Sequence, residues 1–355
     1  MNHKTAMTCR ERFHALMNFQ PVDRLPIIEW ASWWDLTLRR WQDEGMPSDL
    51  DRQDLYRYFS LDVHYQDWIA PRKDRCPPPS HHGAPIVNSA DTYEMLRPLL
   101  FPKDGPLINV AMWQDWARRQ REEGDLLWFT IEGFFWFPRT LLGIENHLYA
   151  FYDQPELMHR MNADLTAFNL RVIEEICAIC KPDFMTFAED LSYNKGPMLS
   201  EAQFDEFLLP YYQHIVPCLK DKGVRVIVDS DGDITKPAAW FARAGIEGIL
   251  PLERQAGVDM NVLRKLYPKQ LYIGAFDKMV MHHGEAAIRT EFERLLPTAR
   301  QGGFMISVDH QTPPAVSLND YRLFLGLFKE YALAGCLDSC RIQGSSLGHG
   351  NSCRR

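Results

Sequence analysis

Residues 226–233 read Val-Ile-Val-Asp-Ser-Asp-Gly-Asp, an apolar run of strand character that delivers Asp229, Asp231 and Asp233 within five positions. A core strand that runs straight into mutually repelling carboxylates needs a reason. Outward from it the same pattern recurs. The strand segment at 125–133 precedes a helix over 155–179, and 184–190 precedes a helix that opens after Ser200 and stops at Gly223. Likewise 225–232 precedes 234–245, 246–253 precedes 258–267, 270–277 precedes 284–303, and 303–310 precedes 317–331. Earlier, 25–30 (LPIIEW) reads as a strand before a helix over 34–45. Strand-then-helix units in series predict a parallel sheet. Their number and the chain length favour a (β/α)8 TIM barrel of the α/β class. The missing eighth strand is expected within the Pro-rich stretch 50–110. The predicted organisation is one barrel over 1–340, with an N-terminal helical extension to about residue 105, and a disordered tail over 341–355.

The 355 residues are 46% hydrophobic and 12% aromatic, enough for a sizeable core. A formal net charge of -8 argues against nucleic acid or an anionic membrane as partner. No apolar run approaches the roughly 18 residues of a membrane span. The N-terminal stretch lacks the apolar core of a signal peptide and reads as a helix, with Thr8 and Glu11 as a capping box. Cytoplasmic location is the expectation. The eight cysteines are scattered and form no disulfide framework. Cys177 and Cys180 are expected to be small residues on a buried helix face.

Every predicted strand ends in an ionisable group: Glu29, Glu132, Glu189 with Asp190, Asp229 with Asp231, Glu253, Asp277 with Lys278, and Asp309 with His310. In a parallel barrel all these edges open on one mouth. Acids also cap helices, but Glu189 and Asp190 lie some ten residues ahead of the helix they would cap. The expected catalytic groups are therefore Glu189, Asp190, Asp229, Glu253, Asp277 and Lys278, with Glu253 and Lys278 on neighbouring strands as a polar pair or flanking the same ligand. A calcium loop is rejected, because Gly232 is fourth rather than sixth from Asp229 and the twelfth residue is Trp240. The aromatic residues beside Glu29 and Glu132 predict a substrate wall of Trp30, Phe134 and Trp136, with Arg139 near it.

Six stretches carry a family resemblance: TCRERFHALMNFQPVDRLP (8–26), EDLSYNKGPMLSEAQFDEFLLPYY (189–212), VIVDSDGDI (226–234), GIEGILPLE (245–253), YIGAFDK (272–278) and ISVDHQTPPAVSLNDY (306–321). With these the chain resembles the uroporphyrinogen decarboxylase superfamily, which includes methylcobamide-dependent methyltransferases. The resemblance implies a (β/α)8 barrel with its site at the strand C-terminal face. It also implies a metal position at Asp231 and His310, with Asp229 or Glu189 completing the set, for zinc or another divalent metal. Where the methyltransferases carry His-x-Cys and a later Cys, this chain carries Asp229, Asp231 and His310. That harder, oxygen-rich set does not suit thiol activation. The decarboxylase branch carries an arginine-rich N-terminal motif, which this chain replaces with Glu29 and three tryptophans. An acidic mouth should reject a polyanionic tetrapyrrole. The expected function is a methyltransferase performing O-demethylation of a small methylated substrate, with a methoxylated aromatic as the class that suits the pocket and the corrinoid carried by a partner protein. The alternatives are a decarboxylase of a porphyrinogen or small carboxylic acid, and a non-catalytic ligand-binding barrel.

Overall fold

The computed structural model describes residues 6–73 and 75–335; the expected tail over 341–355, with Cys336, Cys340 and Cys353, lies outside them. The strands in chain order are β1 (His64–Ile69), β2 (Leu126–Glu132), β3 (Phe184–Ala188), β4 (Ser192–Tyr193), β5 (Gly196–Pro197), β6 (Arg225–Asp229), β7 (Gly248–Leu250), β8 (Leu271–Phe276) and β9 (Phe304–Val308). Seven of them form one curled sheet in the order β1-β2-β3-β6-β7-β8-β9. Each neighbouring pair is parallel. β4 and β5 make a separate antiparallel hairpin in the loop after β3. This is a TIM-barrel-like α/β fold. β2, β3, β8 and β9 are buried along their whole length, as near-continuous apolar strands covered on both faces must be.

The expected strand at 25–30 is not a regular strand. Pro26 offers no backbone donor, and the segment instead spans the gap between β9 and β1 through irregular bonds. The Ser307 hydroxyl donates to the Ile28 carbonyl at 2.5 Å, and the Trp30 indole N–H donates to the Val308 carbonyl at 2.7 Å. Asp62 N–H donates to the Ile27 carbonyl at 2.9 Å, just ahead of β1, and Trp33 bridges Thr312. The strand expected within 50–110 is β1. The helix Pro155–Ile179 has the predicted bounds, and the capping box of Thr8 and Glu11 is formed at the start of the helix Cys9–Met17.

That first helix lies under the N-terminal end of the sheet. Its Phe13 ring stacks on Phe184, which stacks on Trp128, which stacks on His64, so an aromatic column fills the lower interior. Burial holds the His64 imidazole down at about 3, hence neutral, and Nε2 meets the Tyr56 hydroxyl at 2.8 Å. Among the described residues no helix is long and apolar enough to cross a membrane. Cys177 and Cys180 are free thiols at the end of their helix, and burial pushes the Cys180 thiol up to about 12.

Candidate active site at the strand C-terminal mouth

The strands in register lead their last residues to one edge. β3 and β6 pair Ala188 with Asp229, so Asp190 follows directly beside Asp229. Asp190 adopts a φ of 34°, a left-handed turn that swings its carboxylate toward the mouth while Glu189 points the other way. The Asp231 N–H donates to Asp190 Oδ1 at 3.1 Å. Gly232 has φ 82°, and a Cβ there would lie 2.7 Å from the backbone of Ser192 and Tyr193, so only glycine lets the Asp229–Asp233 turn pack under the hairpin. Its N–H donates to Glu253 Oε2 at 2.9 Å. One carboxylate oxygen each from Asp190, Asp229 and Asp231 lies within 4.8 Å of the others. His310 Nε2 stands 3.5 Å from Asp231 Oδ2.

These groups line a cavity of about 430 Å³ with Trp30, Ala31, Ser32, Arg52, Gln66, Trp68, Ala188 and Gln311. Burial, and then the negative charges of Asp190, Asp231 and Glu253, push the Asp229 carboxyl well above its ordinary range. Burial and Asp231 push Asp190 up to about 6, against the Asp231 N–H, Arg139 and His310. The hydrogen bond to Asp231 raises His310, so it is more readily cationic. The mouth thus gathers three carboxyls, of which Asp229 is biased towards its neutral form, and an imidazole, in a cavity that Trp30 and Trp68 also line.

The family model of uroporphyrinogen decarboxylase (URO-D) matches residues 138–331. The chain belongs to the uroporphyrinogen decarboxylase family. Among solved structures it resembles a methyltransferase from Methanosarcina mazei, at 13% identity, covering 92% of this chain and 99% of that one, with a TM-score of 0.61. At that identity the likeness speaks to the fold. A B12-independent methionine synthase from Shewanella sp. W3-18-1 is more remote, at 12% identity over 66% and 67% of the two chains and a TM-score of 0.42. No curated protein matches the chain.

Other acids expected at the site of this family member are placed elsewhere. Glu189 is fully buried and accepts from the N–H groups of Phe134, Phe135 and Trp136 at 3.2, 3.0 and 3.2 Å, and from the Tyr212 hydroxyl. It anchors the turn after β2, where a Cβ on Gly133 would strike its Oε2. Phe134 packs on Tyr211 and Tyr212, away from the cavity. Glu29 receives the Tyr321 hydroxyl at 2.8 Å behind the mouth, and burial pushes it up to about 8. Glu132 is buried with Oε2 lacking a partner, and burial pushes it up to about 7 against the charge of Arg72. Asp277 caps the turn that follows it through the Met279 N–H at 2.9 Å. The expected pair of Glu253 and Lys278 is not formed. Lys278 Nζ sits 3.2 Å from Asp309 Oδ1 and 2.9 Å from Gln255 Oε1, while Glu253 Oε2 is engaged by the Gly232 N–H. Trp136 and Arg139 line a second, neighbouring cavity.

Sequence reading missed Arg52, Gln66, Trp68 and Gln311. Gln66 and Trp68 stand on β1 (HYQDWI), two residues apart and so on one face, but its mixed polar and aromatic composition gives no clear strand period. Gln66 donates to Thr130 Oγ1 at 2.9 Å, which meets Thr186 Oγ1 at 2.7 Å, a polar row beneath the cavity.

Proposed function

We propose that this family member is a methyltransferase that removes a methyl group from a small methylated substrate, best a methoxylated aromatic, and passes it to a corrinoid carried by a partner protein. The supporting observation is the Asp190–Asp229–Asp231 cluster, in which burial and acidic neighbours bias the Asp229 carboxyl towards its neutral form, in a cavity that Trp30 and Trp68 also line. Cleaving an aryl methyl ether leaves a phenolate, which departs readily only when protonated or charge-stabilised. Asp229 carries the proton that the departing oxygen takes, and Asp190 with the Asp231–His310 pair resupplies it. The aromatic walls hold a flat ring without requiring charge. Methyl ether, proton and reduced cobalt on one side give phenol and methylated cobalt on the other, so the step balances.

The three carboxylate oxygens and the nearby His310 also fit a hard divalent cation or zinc, since oxygen-rich sets of this spacing are what such ions take. Asp190, Asp229 and Asp231 would hold it as carboxylates, with His310 completing the set, and when bound it would replace the Asp229 proton in stabilising the oxygen that loses its methyl group.

One observation favours a second reading. Arg52 lines the same cavity as the protonated Asp229, a pairing that suits a substrate carboxylate and a proton donor in decarboxylation. Incubating the protein with free reduced cobalamin and a set of methoxylated aromatics distinguishes the two. Formation of methylcobalamin, lost in Asp229→Asn, is the expected result. Carbon dioxide release from small carboxylic acids with no methyl transfer would replace the first reading by the second.

A further inference from the structure

Beside the acid-lined mouth lies a smaller cavity of about 140 Å³ with the opposite character. It is lined by Arg72, Pro79, His82, Gly83, Ala84, Trp136, Arg139, Thr140 and Ile144. Arg72 follows β1 and the Trp136–Leu142 helix follows β2, neighbouring strands, so the cavity opens at the same end of the sheet. Its walls are tied together. Ile86 and Val87 N–H donate to the Leu141 carbonyl at 2.8 and 3.0 Å, and Ile144 N–H to the Gly83 carbonyl at 3.3 Å. A Cβ on Gly143, whose φ is 79°, would lie 2.7 Å from that same carbonyl oxygen, so the loop is seated against the helix end by a close approach that glycine permits.

Two half-buried guanidinium groups face this space, and among the described residues neither forms an ion pair. Arg72 Nη1 donates to the Thr140 carbonyl at 3.1 Å, and Arg139 Nη1 to the Asp190 carbonyl at 3.3 Å. Those two bonds fix the planes and leave most of the ten N–H donors unassigned. Arg139 is further held over the Trp136 ring, its Cζ 5.4 Å from the centroid. Glu132 lies within electrostatic reach of Arg72 and Asp190 of Arg139, but neither carboxyl forms an ion pair with them, so the two like charges share the cavity without a direct counter-ion among the described residues.

We propose that this cavity is a binding site for a carboxylate borne on a small apolar or aromatic body, clamped by Arg72 and Arg139. The paired guanidinium forks match a planar carboxylate. Trp136, Pro79, Ala84 and Ile144 cover its apolar part. The site is a separate cavity from the acid cluster, although Arg139 touches that cluster through the Asp190 carbonyl and its charge acts on the Asp190 carboxyl.

Benzoate binding to the full-length protein, followed by calorimetry, tests the assignment, with inorganic phosphate as the second arm. Benzoate should bind saturably and more tightly than phosphate. Arg72→Met and Arg139→Met should each weaken it roughly tenfold or more, the effect of removing a charged hydrogen-bond donor. Arg72→Lys, which keeps charge without the fork, provides the same test where the methionine variant is unstable, and should also bind more weakly than the parent. No saturable benzoate binding, or phosphate binding more tightly, would overturn the proposal. Weakening by Arg52→Met but not by Arg72→Met would place the ligand in the acid-lined cavity and overturn it equally.

Discussion

Glu29, Glu132 and Glu189 are all buried near strand ends, yet their surroundings differ. Glu189 collects four donors, Glu29 one, and Glu132 Oε2 none. The contrast sets a testable pH dependence at Glu29. Burial raises its carboxyl to about 8 in the folded protein, against the Tyr321 hydroxyl, from an ordinary 4.5. Below 4.5 the group is neutral in both states and contributes no pH dependence. Between 4.5 and 8 the unfolded chain ionises while the folded one stays protonated, so stability falls by about 1.4 kcal/mol per pH unit. Above 8 the fall ends. Glu29→Gln keeps the shape and the acceptor for Tyr321 but cannot ionise. Denaturant unfolding at pH 5, 6.5 and 8 should therefore show a flatter profile for the variant, with its relative advantage largest at pH 8. Parallel profiles would reject the buried, neutral assignment.

Among the elements, the segment over 25–33 depends most on single contacts. A regular strand would share a ladder of bonds, whereas this one relies on Ser307, Trp30 and Asp62. Ser307 is buried, and its hydroxyl is the donor to the Ile28 carbonyl. Ser307→Ala leaves that carbonyl unpaired, at a cost of about 1–3 kcal/mol. Amide exchange should quicken around residues 27–33 and stay unchanged in the helix Pro155–Ile179. Unchanged stability together with unchanged exchange near Trp30 would mean the seam is held by packing instead. Because Trp30 lines the acid cavity, this element also couples the closure of the sheet to the wall of the candidate active site.

Across the whole molecule the two ends of the sheet carry different chemistry. The mouth collects acids that face one another, while the opposite end carries one carboxylate fully matched by donors. Asp183 receives Arg10 Nε at 2.6 Å, His14 Nε2 at 2.7 Å, Gln120 Nε2 at 3.0 Å and the Leu127 N–H at 3.0 Å. Burial opposes its charge, but the bonds from His14, Arg10 and Gln120 outweigh it and hold the carboxyl below its ordinary value. The stabilisation is present above pH 3.8 and lost as pH falls through the folded value. Arg10 and His14 are each a third exposed, which screens part of the effect. Asp183→Asn should cost about 1–3 kcal/mol near neutral pH, and less in acid. Ligand binding at the mouth should be unaffected, since the substitution lies at the far end. A thermal unfolding series across pH checks the first statement, and equal losses at pH 3 and pH 7 would contradict it.

The succession of apolar strands and amphipathic helices determined the parallel sheet, because period-2 and period-3.6 patterning are local properties of the chain. It also determined that Asp190, Asp229, Asp231 and His310 share one edge, since parallel strands all end on the same side. Tertiary structure alone decided which acids turn inward. Glu189 and Asp190 are adjacent, and a single left-handed φ at Asp190 sends one into a cage of backbone N–H groups and the other to the mouth. It likewise decided that Lys278 meets Asp309 rather than Glu253: β8 adjoins both β7 and β9, but Glu253 turns to the Gly232 N–H while Asp309 faces the lysine. Arg52, Gln66 and Trp68 come from a stretch whose strand has half-polar composition, so periodicity left it unmarked until its pairing with β2 ordered it. The cavity of Arg72 and Arg139 joins a loop after β1 to a helix after β2, and distance along the chain holds no information about that meeting until the sheet brings β1 beside β2.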